Sequence, residues 1–80
     1  MDVAGRRLLW RCRRGMKELD VLLERYARAR LAQATREERS VLERFLSLPD
    51  PELADYLLGS GVPVEPDLAR LAGLIRSGRG

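Results

Sequence analysis

Thr35-Arg-Glu-Glu-Arg-Ser-Val-Leu-Glu-Arg-Phe-Leu-Ser-Leu-Pro-Asp-Pro51 is the stretch that decides the fold. Thr35 and Glu38 form a Thr-x-x-Glu capping box, in which each side chain reaches the other residue's backbone N–H and starts a helix. Val41, Leu42, Phe45 and Leu46 follow at helical spacing as the buried stripe of that helix. Asp50 and Pro51 then read as an N-cap and a proline at the first helical position, launching a short helix through Leu53, Tyr56, Leu57 and Leu58 that Gly59 stops.

The same pattern extends in both directions. Downstream, residues 61–66 form a loop, a last helix follows Pro66 with Leu68, Leu71, Ala72 and Ile75 on one face, and residues 77–80 are expected to be a flexible tail. Upstream, a helix starting near Met16 shows Met16, Leu19, Leu22, Leu23 and Tyr26 on one face and frays within residues 27–34. Before it, a helix from Val3 to Cys12 turns Leu8, Leu9 and Cys12 inward with Trp10 at its edge, and Gly15 is expected as its C-cap. No segment alternates as a strand. Helices of about ten residues are marginal alone in water, so each must bury its stripe against the others. The expectation is an all-α, compact bundle of five short helices, a single domain over residues 1–80 that is ordered over about residues 3–76.

A chain of 80 residues buries only roughly 60% of the surface its unfolded form exposes, so the core is thin. One cysteine cannot form an internal disulfide, which points to apolar packing and a reducing, cytoplasmic location. No apolar run approaches the roughly 20 residues of a membrane-spanning helix. The net charge of +3 is uneven: residues 1–40 carry eleven Lys and Arg against six Asp and Glu, and residues 41–80 four against six. Without histidine, and with one cysteine, the chain lacks a zinc site, a Ser-His-Asp or Cys-His arrangement and a histidine base. It has neither GxGxxG nor GxxxxGK[ST], the loops that normally hold dinucleotide or nucleotide phosphates. No residue is assigned as catalytic, metal-binding or cofactor-binding.

Helix building leaves one element unexplained, the Arg-Gly-x-x-Glu of Arg14, Gly15 and Glu18 inside Trp10 to Asp20. A glycine at a helix-helix corner lets a partner's backbone come close. An arginine fork and a carboxylate beside it can orient that partner through charge-assisted hydrogen bonds. An internal pair between Arg14 and Glu18 would contribute only about 0–1 kcal/mol, so Arg14 is read as a binding residue whose replacement by alanine leaves the fold unchanged. Glu18 suits either a partner contact or the positive end of its helix. Trp10 suits either half-buried packing or an interface anchor. Arg13, Met16, Lys17 and Asp20 are secondary candidates around the same corner. Cys12, with no histidine to activate it, is read as a small buried apolar residue.

Trp10-Arg-Cys-Arg-Arg-Gly-Met-Lys-Glu-Leu-Asp20, followed by Glu43-Arg-Phe-Leu46 and by Asp50-Pro-Glu-Leu53 with Tyr56 and Leu57, closely resembles the succinate dehydrogenase flavinylation factors. That family comprises small bacterial proteins and mitochondrial relatives known as SdhE or succinate dehydrogenase assembly factor 2. The likeness spans about residues 5–76 and departs from the family in the alanine-rich segment 27–34 and in the tail. It implies a five-helix assembly factor, not an enzyme. Such a factor binds the flavoprotein subunit of succinate dehydrogenase, and in some bacteria that of fumarate reductase, and promotes covalent attachment of FAD to a histidine there. FAD is then the partner's cofactor, with none held stably by this chain, and neither nucleic acid nor membrane is a partner. Two rival functions stand beside it: another helical protein-protein module of antitoxin type, and a nucleic-acid module using the arginines between Arg6 and Arg14 on phosphates.

Overall fold

The computed structural model describes residues 1–78. Among them the order is α1 (Val3–Arg11), α2 (Lys17–Arg30) continued by a 3-10 turn (Leu31–Gln33), α3 (Arg36–Leu46), α4 (Asp50–Leu57) and α5 (Pro66–Ser77), with no strand. The expected all-α, five-helix architecture is what forms.

Most helices begin on a local device. The Asp2 carboxylate caps α1 by accepting from the Gly5 N–H at 2.8 Å, and Arg39 of α3 donates to the same carboxylate at 2.9 and 3.0 Å. The capping box of α3 is complete: Thr35 Oγ1 accepts from the Glu38 N–H at 3.1 Å and Glu38 Oε1 from the Thr35 N–H at 2.8 Å. At α4 the expected register is off by one. Pro49 is the N-cap, and its carbonyl accepts from Glu52 and Leu53, so Asp50 and Pro51 are the first two helical residues. The Asp50 carboxylate is turned away from its own helix end, toward Arg14. Pro66 is likewise the first residue of α5, capped by Glu65.

The helices close around sixteen buried apolar residues contributed by every element, among them Leu8, Cys12, Leu19, Leu23, Tyr26, Leu42, Phe45, Leu46, Leu53, Leu57 and Ile75. α2 is central, packed on α1, α4 and α5, while α3 lies against α1 and α5. The expected stripes of α3 and α5 are buried, apart from Val41, which is half-buried. Five apolar residues assigned to inward faces of the other helices are different: Leu9, Leu22 and Tyr56 are only partly buried, and Met16 and Leu58 are 40% and 45% exposed. Met16 and Leu58 sit at helix ends, where the stripe runs out beyond the neighbouring helix. The alanine-rich segment does not fray. α2 holds its geometry to Arg30 and tightens into the 3-10 turn, anchored by Leu31, whose side chain is buried and whose carbonyl accepts from Arg39. Ser77, expected in the tail, is the last residue of α5, and Gly78 caps it with φ +71°; the expectation for residues 79–80 lies outside the described residues. Among the described residues no helix is long and apolar enough to cross a membrane.

Candidate functional site

The corner between α1 and α2 is built from the backbone outward. α1 ends at Arg11, and Cys12 closes it in right-handed geometry by donating to the Leu9 carbonyl at 3.1 Å, so Gly15 is not the C-cap expected of it. It stands three residues further on, in the link to α2. There it does need its glycine freedom, because its φ is +87°. Asp20, in the first turn of α2, holds this bend: Oδ1 accepts from the Arg14 N–H at 2.8 Å and Oδ2 from the Gly15 N–H at 3.1 Å. A side chain added at Gly15 would meet nothing within 4 Å, so the turn is open to the outside.

Arg14 does not have the free fork expected of a partner contact. Its side chain is 19% exposed, and Nε donates to Asp50 Oδ1 at 2.8 Å. Nη1 donates to the carbonyls of Arg11 and Leu46 at 3.1 and 3.0 Å, and Nη2 to that of Leu48 at 3.4 Å. The guanidinium thus joins the end of α1, the end of α3 and the start of α4. The Arg14–Glu18 pair weighed from sequence does not form, since the bend at Gly15 separates two residues that would face each other only on one continuous helix. Glu18 is exposed and makes no hydrogen bond or ion pair among the described residues.

Around the turn, Lys17, Glu18, Val21, Leu22 and Leu58 line a shallow open hollow of about 440 Å³. Val21 is 52% exposed, so the hollow offers apolar surface beside a free carboxylate. On the other side Trp10 is 68% exposed, which settles against half-buried packing, with the Arg13 guanidinium 5.0 Å from its ring centre. Arg13 Nε is in turn held by Glu24 Oε1 at 3.0 Å. Of the eight corner residues singled out, Gly15, Glu18, Met16 and Lys17 face outward around the bend, and Trp10 and Arg13 form an adjacent exposed stack. Arg14 and Asp20 are internal braces. Sequence reasoning missed Asp50, whose partner lies 36 positions away, and the apolar contribution of Val21 and Leu58.

Cys12 is fully buried, its thiol donates to the Leu8 carbonyl at 3.4 Å, and burial foremost, with Glu24 nearby, pushes its pKa up to about 12. A thiol held protonated in this way is no nucleophile. No group of three or more His, Cys, Asp and Glu placed to hold a metal occurs among the described residues. A flavin nucleotide is poorly matched too. The hollow beside Glu18 has a single cation, Lys17, next to a carboxylate, and the rest of its lining, Val21, Leu22 and Leu58, is apolar.

A small all-α protein, with an open glycine turn at its corner and a carboxylate there that has no partner among the described residues, is therefore the class that this fold and site define. The family model described as Sdh5, flavinator of succinate dehydrogenase, matches residues 6–79, and the chain belongs to that family. A protein of Methylococcus capsulatus named FAD assembly factor SdhE is 45% identical over 71 residues, covering 89% of this chain and 86% of its own. One of the same name from Coxiella burnetii is 38% identical over 69 residues, covering 86% and 84%. Another from Xylella fastidiosa is 45% identical over 71 residues, covering 89% and 73%.

Proposed function

We propose that this chain is an assembly factor, acting in the cytoplasm, that binds the flavoprotein subunit of succinate dehydrogenase and promotes covalent attachment of FAD to it. Membership of a family described as the flavinator of succinate dehydrogenase supports the reading, as do relatives named FAD assembly factors. The observation that carries it to particular residues is the outward-facing Gly15 turn with Glu18 beside it, whose carboxylate has no partner among the described residues. The acceptor that the family resemblance implies is a histidine, and this chain has none, so the acceptor belongs to the partner. The contribution of this chain is then positional. By binding one conformation of the flavoprotein more tightly, it raises the population in which flavin and acceptor are aligned. Gly15 admits the partner's backbone and Glu18 accepts hydrogen bonds from it, while Met16 and Lys17 border the contact. The partner proposed is the succinate dehydrogenase flavoprotein alone, and Arg14 has no direct part in the contact, because its Nε–H and both Nη1–H donors are used inside the fold.

The nucleic-acid alternative draws on a cluster that is partly engaged inside the fold. Arg11, Arg13 and Arg14, central to the basic cluster, are each paired with a carboxylate. The test is in-gel fluorescence of covalent flavin on the succinate dehydrogenase flavoprotein, in a strain that depends on this chain. Wild type restores the fluorescent band, and Glu18→Ala loses most of it while keeping its helical circular dichroism. A band of wild-type intensity from Glu18→Ala refutes the assignment of Glu18.

A further inference from the structure

We propose that Asp50 is a positioning residue for docking: it acts through Arg14 to fix the Gly15 turn and Glu18 relative to α4, without touching the partner itself. This rests on the reading of the corner as the docking site. The ion pair joins residues 36 apart in sequence, the first residue of α4 and the residue just before the glycine turn. With both Nη1 donors on the Arg11 and Leu46 carbonyls as well, Arg14 has little room to adopt another rotamer. Its own N–H is held by Asp20, so one residue is gripped by side chain from α4 and by backbone from α2. Glu18 lies one residue into α2, and the hollow it borders is completed by Leu58 at the far end of α4. Both walls of the docking surface therefore depend on how α2 and α4 are set against each other, and the Arg14–Asp50 pair is a direct polar tie between the α2 entry and α4. Asp50 stands where an N-cap was expected, yet its Oδ1 accepts from Arg14.

A helix-dipole role is the bland explanation for an acid in the first turn of α4, and Glu52 supplies the control. It lies in the same first turn, and its carboxylate makes no hydrogen bond or ion pair among the described residues. Covalent flavin formation on the purified flavoprotein with free FAD would be followed while the full chain is titrated. Asp50→Ala is expected to raise the half-saturating concentration at least tenfold, with the saturated rate within twofold of wild type. Glu52→Ala should titrate like wild type, and Asp50→Asn, which keeps an acceptor oxygen for Arg14, should recover to within about threefold. Amide hydrogen exchange on the same variants separates positioning from general loosening: Asp50→Ala should speed exchange at Arg14 and Gly15 while Leu23 and Leu71 stay protected. Equal titration of Asp50→Ala and Glu52→Ala overturns the proposal, as does a loss confined to the saturated rate or faster exchange throughout the core. If wild type itself leaves flavin attachment unchanged, the functional reading fails, and this inference with it.

Discussion

Replacing Arg14 by alanine removes four donated hydrogen bonds at once, and the expected cost can be built from their geometry. Bonds to charged groups contribute about 1.5–3 kcal/mol when buried, and exposed ion pairs about 0–1 kcal/mol. Here the Arg14 and Asp50 side chains are 19% and 39% exposed, which places the pair near the lower range. The bonds to Leu46 and Arg11, at 3.0 and 3.1 Å, are well formed, whereas the one to Leu48 at 3.4 Å is long enough to neglect. Water can reach part of the vacated site and solvate the abandoned carbonyls, so about 0.5–1 kcal/mol for each sound bond is appropriate. The total is about 2 kcal/mol, and at about 4–8 °C per kcal/mol for a domain of this size the melting temperature should fall by about 10 °C. Glu18→Ala removes only a favourable position at the start of α2, about 0.5 kcal/mol, and should melt within about 4 °C of wild type. Thermal circular dichroism at low protein concentration, checked for reversibility, measures both. If Arg14→Ala melts as close to wild type as Glu18→Ala does, the guanidinium is not a brace, and the reading of Arg14 as a free contact returns.

Two further predictions concern titrating groups. Cys12 should resist a thiol reagent at mildly alkaline pH in the folded chain and react fully in urea, because burial holds the thiol protonated up to about pH 12. Its contribution to stability is whole below the ordinary value of 9.0 and declines as pH rises from there toward about 12, a loss that Cys12→Ala should reduce in alkaline urea titrations. Glu38 behaves oppositely. The Thr35 N–H foremost, then the Thr35 hydroxyl, holds its carboxyl below the ordinary 4.5, so the capping box stabilises fully above that pH and is lost as pH falls through the depressed value. Glu38→Gln should flatten the fall in melting temperature between about pH 5 and about pH 3; an unchanged slope would mean that the box is broken in solution.

Much of the fold was legible because helix starts and apolar stripes are local. Thr35 and Glu38 meet within one turn, and Leu42, Phe45 and Leu46 share a face whatever they pack against. The corner was legible only in part. The need for glycine at position 15 shows in the residue type, but its place three residues past the C-cap Cys12 follows from the extra bonded turn through Cys12 and from the grip of Asp20 on two amides. Asp50 was misread for a related reason: Asp-Pro looks like a cap when only neighbours are considered, and a guanidinium from 36 residues away outcompetes the helix end for its carboxylate.

By itself the sequence determined five short helices, the absence of histidine-based catalysis, and an Arg-Gly-x-x-Glu element marking the α1–α2 corner, since each follows from residue type and from spacing within about one or two helical turns. Only the tertiary structure decided which members of that element face outward. Arg14 was drawn inward by carbonyls that α3 and the α3–α4 link leave unpaired, while Glu18 was left without a partner among the described residues. Helix ends expose acceptors at places fixed by packing, and no pattern within a single segment records where another segment's donors will find them.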